Sequence, residues 1–309
     1  MMNPVIVVHG GAGVIDRTTI RPEWIPQYEQ GLKTAVAAGY EALRSGLSAT
    51  EAVVAAVVEL ENNPLFNAGK GAVFNSVGEH ELDSSIMDGQ NLKCGAIAAA
   101  RTIKNPIVAS KKVMDVSNHV LFSGAGADKF AKANDIELVK KEYFFYQPRY
   151  DQWKKAKKKN VIALDHDSEK KFGTVGAVAL DQMGNLAAGT STGGLTNQTL
   201  GRVGDTPLIG SGTYANNLTC AVSSTGEGEY FIRAQAAVTV SHLMEFKGLD
   251  LVMATKQVVF DLLKDKLGGS GGLIAVDRFG NIAMPFNTPG MFRGFQDDAN
   301  EGPNVFMFQ

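Results

Sequence analysis

The 309-residue sequence predicts a fold of the α/β (α+β) class, a four-layer αββα sandwich with two packed sheets between helices. Two strand–turn–strand units, TVGAVALDQMGNLAAGTSTGG and GGLIAVDRFGNIAMPFNTPGM, have nearly continuous apolar strands, so both faces of each sheet must be covered. Each half of the chain also carries a pair of helical segments. Sheets stacked on each other with the helices outside bury all of these surfaces.

Taken in order, Val5–Val8 reads as a short buried strand that runs into a glycine-rich turn, HGGAG. Residues 28–44 have apolar positions at helical spacing and stop at Gly46, a glycine suited to the C′ position. Ser48-Ala49-Thr50-Glu51 is a capping-box pattern that opens a second, largely buried helix, and Pro64 bars that helix from continuing. GAIAAARTIKNPIVASKKVM predicts a strand and a helix, and DKFAKANDIE a weaker helix. From about 140 to 173 periodicity gives way to lysine clusters, which reads as a flexible linker within a single domain spanning 1–309. Asp-x-x-Gly-Asn turns at Asp181 and Asp277 place Gly184 and Gly280 where φ > 0 is wanted. Two further helices lie in YFIRAQAAVTVSHLMEFKG and DLVMATKQVVFDLLKDKLGG.

Composition excludes several classes of function. Lys and Arg number 30 against 32 Asp and Glu, a net charge of −2, which offers no surface for nucleic acid or membrane. No apolar stretch approaches the ~18 residues of a membrane span. The two cysteines, Cys94 and Cys220, are too few for a disulfide framework. With no basic, signal-like start, the expectation is a cytoplasmic protein.

The chemistry concentrates around Thr174. A threonine at the head of a strand can be there for β-propensity alone. Here it follows Gly173, whose carbonyl a hydroxyl can approach closely, and a linker that gives the backbone freedom. Attack of Thr174 Oγ on that carbonyl gives an ester by N→O acyl shift, and water then frees a threonine with its own α-amino group. Such an amine has an unperturbed pKa of about 7.7–8, suited to a general base at neutral pH. One residue then serves as nucleophile and base, without a histidine.

Other candidates are weaker. Of the histidines His9, His80, His119, His166 and His242, none falls in a metal-ligand pattern, and Asp165–Asp167 reads as a solvated charge cluster. GGSGG around Ser270 follows a helix and precedes a strand, the wrong context for a nucleophile elbow, so Ser270 reads as a turn residue. HGGAG lacks the full dinucleotide fingerprint. Thr190, Thr192 and Thr225 among glycines offer hydroxyls and open backbone N–H groups, which suit an oxyanion hole or an ordinary turn. Arg202 and Asp205 on one glycine-rich loop fit the carboxylate and ammonium of a free α-amino acid, or a surface salt bridge.

With VVHGGAG, PLFNAGKGAVFN, ELDSSIMDG, GTVGAVALD, TSTGG, GRVGDTPLIGSGTYANN, STGEGE and LGGSGGLIAVD in this order, the chain resembles the plant-type asparaginase / isoaspartyl aminopeptidase family of Ntn-hydrolases over nearly its whole length. The resemblance implies the αββα Ntn-hydrolase sandwich and self-cleavage between Gly173 and Thr174. The products are an α subunit, 1–173, and a β subunit, 174–309, assembled as (αβ)₂. It implies hydrolysis of β-aspartyl dipeptides and L-asparagine, small substrates that need no cofactor for the chemistry.

Residue by residue, the resemblance makes Thr174 the nucleophile and Thr192 the partner of its hydroxyl. Thr225 and Gly226 match the oxyanion pair, and Asn67 holds the nucleophile's amino group. Arg202 matches the α-carboxylate clamp and Asp205 the α-amino partner, within a substrate loop of Arg202, Val203, Gly204 and Asp205 and a second stretch of Thr225, Gly226, Glu227 and Gly228. Gly10-Gly11 matches the glycine loop beside the scissile bond. A structural Na⁺ is expected on main-chain carbonyls of Leu60, Glu61, Asn63, Phe66, Ala68 and Lys70, oxygen ligands that suit a hard cation. The alternatives are a glycosylasparaginase, an uncleaved non-enzymatic binding protein on the same sandwich, and a nucleotide-binding protein built on HGGAG.

Overall fold

The computed structural model describes residues 2–16, 20–159 and 173–309. From edge to edge, the larger sheet holds β12 (Asn304–Phe308), β11 (Gly290–Asp297), β1 (Val5–Gly13), β5 (Val175–Leu180), β6 (Leu186–Thr192), β2 (Leu82–Asp88), β3 (Cys94–Ala100) and β4 (Leu121–Ser123). The smaller holds β10 (Ile282–Ala283), β9 (Gly271–Asp277), β8 (Cys220–Gly226) and β7 (Thr213–Ala215). Helices α1 (Ile25–Arg44), α2 (Ala49–Asn62) and α3 (Pro106–Val116) cover the outside of the larger sheet, with α4 (Gly124–Ala133) beside β3. Helices α6 (Gly228–Ala234), α7 (Ala236–Lys247) and α8 (Leu251–Lys256) cover the smaller one, α8 running on as a π-helical stretch over Gln257–Lys266. This is the four-layer sandwich the apolar strands demand.

Strand alternation sorts the core into its layers. From β5, Val175, Ala177 and Ala179 face the α1–α2 pair, packing with Leu32, Val36, Val53 and Val57. Val178 and Leu180 point the other way and meet Ile274 and Val276 of β9 between the sheets. In β9, Leu273 and Ala275 turn to α6–α8, where Phe231, Val240 and Val259 are fully buried. Each such aliphatic side chain contributes about 1.5–3 kcal/mol on burial.

The local signals act as the residues dictate. Ser48 Oγ accepts from Glu51 N at 3.4 Å while Ser48 N donates to Glu51 Oε2 at 2.9 Å, completing the capping box. Gly46, at φ +81°, closes α1 with Gly46 N bonded to Leu43 O and Leu47 N to Ala42 O. Gly184 and Gly280 have φ of +85° and +87° in their turns. The two hairpins share a plan but lie in different sheets.

Two expectations need correction. The HGGAG stretch is no turn: β1 continues to Gly13, and a register shift against β11 between His9 and Gly11 absorbs the irregularity. Gly11 takes φ +113° there, which a bulge with a glycine permits. The stretch beginning at 140 is not wholly a linker either. Lys141–Phe144 forms a 3₁₀ turn and α5 (Gln147–Lys159) follows, with Phe144 fully buried and Arg149 5 % exposed. A short helix with two buried positions among lysines has no apolar stripe to read. The rest, including Asp165, His166 and Asp167, lies outside the described residues.

Candidate active site

A cavity of about 200 Å³ opens where β1, β5, β6 and β8 bring their ends together. Thr174 and Gly173 line it beside Asn67, Thr192, Arg202, Gly204, Asp205 and Gly226. Thr174, immediately before β5, is 6 % exposed. Gly173 is packed tightly from two sides. A Cβ on Gly11 would lie 2.7 Å from Gly173 N and 3.0 Å from its carbonyl oxygen, and a Cβ on Gly173 would lie 2.7 Å from Thr225 Oγ1. Glycine at both positions lets the β1 bulge, the 173–174 peptide and the Thr225 hydroxyl converge.

The hydroxyls around Thr174 each accept a backbone hydrogen bond. Ala12 N donates to Thr225 Oγ1 at 3.4 Å, and Gly194 N donates to Thr192 Oγ1 at 3.1 Å. Each hydroxyl therefore keeps its own proton to give. Asn67 is held by its amide: Nδ2 donates to Gly194 O at 2.7 Å and Oδ1 accepts from Val73 N at 3.1 Å, which leaves Oδ1 a second lone pair.

At the other end of the cavity, Asp205 is buried, and its Oδ2 has no hydrogen-bond partner among the described residues. Burial pushes its carboxyl up to about 7, against the pull of the Arg202 guanidinium. An uncompensated buried carboxylate oxygen is a poor thing to leave dry and a good acceptor for an ammonium. Arg202 is aimed by Glu229: Nε donates to Oε1 at 2.9 Å and Nη2 to Oε2 at 3.0 Å. A Cβ on Gly228 would lie 2.7 Å from Asp205 Oδ1 and 3.0 Å from Arg202 Nη2, so the absence of a side chain there keeps the clamp open.

Not every expected residue reaches the cavity wall. Val203, Thr225 and Gly228 do not line it, Thr225 being fully buried with its hydroxyl beside Gly173, and Glu227 turns its carboxylate to Ser270, accepting from Ser270 N at 2.8 Å and Oγ at 2.9 Å. That bond holds Ser270, read as a turn residue, in the wall. Glu229 was legible as the second acid of STGEGE, two residues from Glu227.

A buried polar seam between the sheets has no sequence signature. His9 Nε2 lies 2.9 Å from Ser223 Oγ, which is 2.7 Å from Thr190 Oγ1, itself 2.5 Å from Thr213 Oγ1. Ser85 Oγ continues it, 2.8 Å from Thr213 Oγ1, and donates to Thr206 O next to Asp205. Burial drops the His9 imidazole to about 3, opposed by the Thr174 backbone, so the ring stays neutral at pH 7. Asp83 of β2 lies beneath the clamp loop, accepting from Ala99 N at 2.8 Å, and burial raises it to about 7. Ser223→Ala interrupts the seam at its centre. It will lower stability by about 1–3 kcal/mol, the cost of stranding buried partners, measured by urea unfolding; an unchanged midpoint would show the seam to be idle.

Among the described residues no group of three or more His, Cys, Asp or Glu side chains is placed to hold a metal ion, and no helix is long and apolar enough to cross a membrane. The 60–70 loop offers carbonyls instead. A Cβ on Gly69 would lie 2.5 Å from Glu61 O, and one on Gly71 would collide with Phe66 O, so glycine at both positions lets the backbone pass close to these oxygens. The Lys70 ammonium is turned away, 5.7 Å over the Tyr143 ring. Carbonyl oxygens are the ligand type a hard cation takes.

Residues 2–305 match the sequence model of a family described as Asparaginase. The chain belongs to the asparaginase family. Relatives within it include the isoaspartyl peptidase of Escherichia coli, 50 % identical over 96 % of this chain and 93 % of the relative. The isoaspartyl peptidase of Salmonella typhimurium is 49 % identical over 96 % of each chain. The isoaspartyl peptidase/L-asparaginase of Xenopus laevis is 44 % identical over 93 % of this chain and 90 % of the relative.

Proposed function

We propose that this chain is a self-cleaving amidohydrolase that releases L-aspartate from β-aspartyl dipeptides and L-asparagine through a threonyl ester. The observation that carries the reading is one cavity with a hydroxyl amino acid at one end and a carboxylate–guanidinium pair, Asp205 and Arg202, at the other. The names and identities of the bacterial and animal relatives support it.

Cleavage comes first. Thr174 Oγ adds to the Gly173 carbonyl carbon, the C–N bond breaks as the proton passes to nitrogen, and water hydrolyses the resulting ester. The first fragment leaves with the Gly173 carboxylate, and Thr174 gains a free amine. In turnover, Arg202 takes the substrate's α-carboxylate and Asp205 its α-ammonium, which sets the side-chain amide over Thr174. The amine accepts the Oγ proton as oxygen attacks, and returns it to the departing ammonia or peptide amine. Thr225 Oγ1 and Gly226 N–H face the developing oxyanion, while Thr192 donates to the nucleophile and Asn67 Oδ1 holds its amine. Water then splits the β-aspartyl ester in the same way.

A Na⁺ on the carbonyls of Leu60, Glu61, Asn63, Phe66, Ala68 and Lys70 would supply structural charge to the loop that carries Asn67. The fragments pair as (αβ)₂, and the thiols Cys94 and Cys220 suit the reducing cytoplasm.

Incubation of the purified chain with β-aspartyl-leucine and with asparagine will yield aspartate from both, alongside two bands on denaturing electrophoresis. Complete cleavage with no aspartate from either substrate would overturn the substrate assignment. A single uncut band without turnover would overturn the mechanism.

A further inference from the structure

Helix α5 lies upstream of the proposed cut and behind the loop that carries Asn67. We propose that Arg149 is a positioning residue for that loop, so that the tail of the first fragment remains a working part of the site wall. This rests on the reading above for its catalytic consequence, though not for its geometry.

The Arg149 side chain leaves α5 and reaches the carbonyls of that loop without lining the cavity. Its Nε donates to Gly71 O at 3.1 Å and its Nη2 to Leu65 O at 3.3 Å. Its Nη1 donates to Gln152 Oε1 at 3.3 Å, one turn along the same helix, which fixes the plane of the fork. Leu65 and Gly71 bracket Asn67, so a single rigid group spans the turn that presents it. A guanidinium can bond two divergent carbonyls at once, whereas a lysine ammonium is a point charge on a flexible stem. These bonds also answer two carbonyls that need partners, that of Leu65 in a turn and that of Gly71 at the end of the 3₁₀ turn Gly69–Gly71.

The helix is anchored to the same segment by rings. Phe74 lies 5.7 Å from the Tyr150 ring and 5.9 Å from Trp153, with Trp153 packed where a Cβ on Gly78 would lie 3.1 Å from it. Rings and guanidinium thus hold residues 65–78, of which Asn67 and Val73 line the cavity with Thr174. The clamp residues Arg202 and Asp205 sit on another loop, joined to this segment through Ser76 N on Gln198 O at 2.7 Å and Arg202 Nη1 on Gln198 Oε1 at 3.5 Å, so α5 bears on them only at one remove.

This separation gives the test its form. Without the fork the loop relaxes, and misplacement of a group on the nucleophile's amine lowers kcat by about 10–100-fold. KM for β-aspartyl-leucine, set by the clamp, stays within about threefold. Arg149→Ala and Arg149→Lys are assayed beside the wild type, with amide hydrogen exchange of peptides covering 64–75 and 201–206. A fall in kcat with KM held, faster exchange confined to 64–75, and recovery of Arg149→Ala by millimolar guanidinium but not by methylammonium support the proposal. Unchanged kcat with only a lower melting temperature overturns it, as does exchange that rises equally in both peptides. Should Arg149→Ala not fold, Arg149→Lys decides on the same readouts. A wild type that yields no aspartate refutes the functional reading; the proposal then stands or falls on the exchange of 64–75 in Arg149→Lys.

Discussion

Thr174→Ala will give a chain that neither cuts itself nor releases aspartate, while folding as the wild type does. The substitution removes a hydroxyl and a methyl from a residue already 6 % exposed, and leaves the β5 ladder, which begins at Val175, untouched. The stability cost is that of a small truncation, about 1 kcal/mol. The chemical cost is of another order. In the proposed mechanism one atom, Oγ, performs the acyl shift and the attack on substrate, and the amine that serves as base exists only after the shift. Loss of a nucleophile that acts as a unit with its base lowers turnover by at least about 10⁴-fold. No neighbour can stand in: Thr192 and Thr225 each accept from a backbone N–H and lack a base, and His9 is held near pKa 3 by burial. Thr174→Ser keeps the hydroxyl and will still cut, more slowly, because the missing methyl frees χ1. Denaturing electrophoresis and aspartate release read both variants. An alanine variant that still splits would remove the nucleophile from the mechanism.

Much of this site is written in residues whose local chemistry is unambiguous. Gly173 before Thr174 and the glycines beside Arg202 and Asp205 leave the backbone open to close approach, and the capping box at Ser48 fixes a helix start, each in a way that needs no knowledge of the partner. What escapes the sequence is whatever depends on a distant partner. Strand β2, LDSSIMD, shows no apolar run, because its buried serines are satisfied across the sandwich: Ser84 donates to Thr190 O at 3.0 Å and Ser85 reaches Thr206 and Thr213. His9 looks like part of a glycine loop until Ser223, 214 residues away, is placed against it. Helix α5 reads as a linker because its binding energy lies in one arginine and a few rings directed at loop backbone. Periodicity detects faces that pack on faces; it is blind to a side chain that packs on carbonyls.

The pH dependence of substrate capture follows from the same burial. In the free enzyme Asp205 is raised to about 7, burial being the larger cause and Arg202 opposing it. An acid whose folded pKa lies above its unfolded value holds its proton longer in the folded chain. It therefore stabilises the fold at low pH, and that contribution is lost as pH rises through about 7. Capture has the opposite sign, because only the carboxylate pairs with the substrate's ammonium. The kcat/KM for β-aspartyl-leucine, which reports free-enzyme groups, will rise with pH through an acid limb near 7. In the complex the ammonium stabilises the carboxylate, so the limb in kcat lies at lower pH. Asp205→Asn keeps the shape and removes the charge. It will lower kcat/KM by about 100-fold or more at pH 8, within the cost of truncating one partner of a buried charged pair, and will remove the limb near 7, leaving the limb of the Thr174 amine, whose unperturbed pKa is about 7.7–8. Asp83 is the competing titrant: it too is raised to about 7 by burial and interacts with Arg202. If the limb survives in Asp205→Asn but disappears in Asp83→Asn, the titration belongs to the support beneath the clamp, and Asp205 is not what recognises the ammonium.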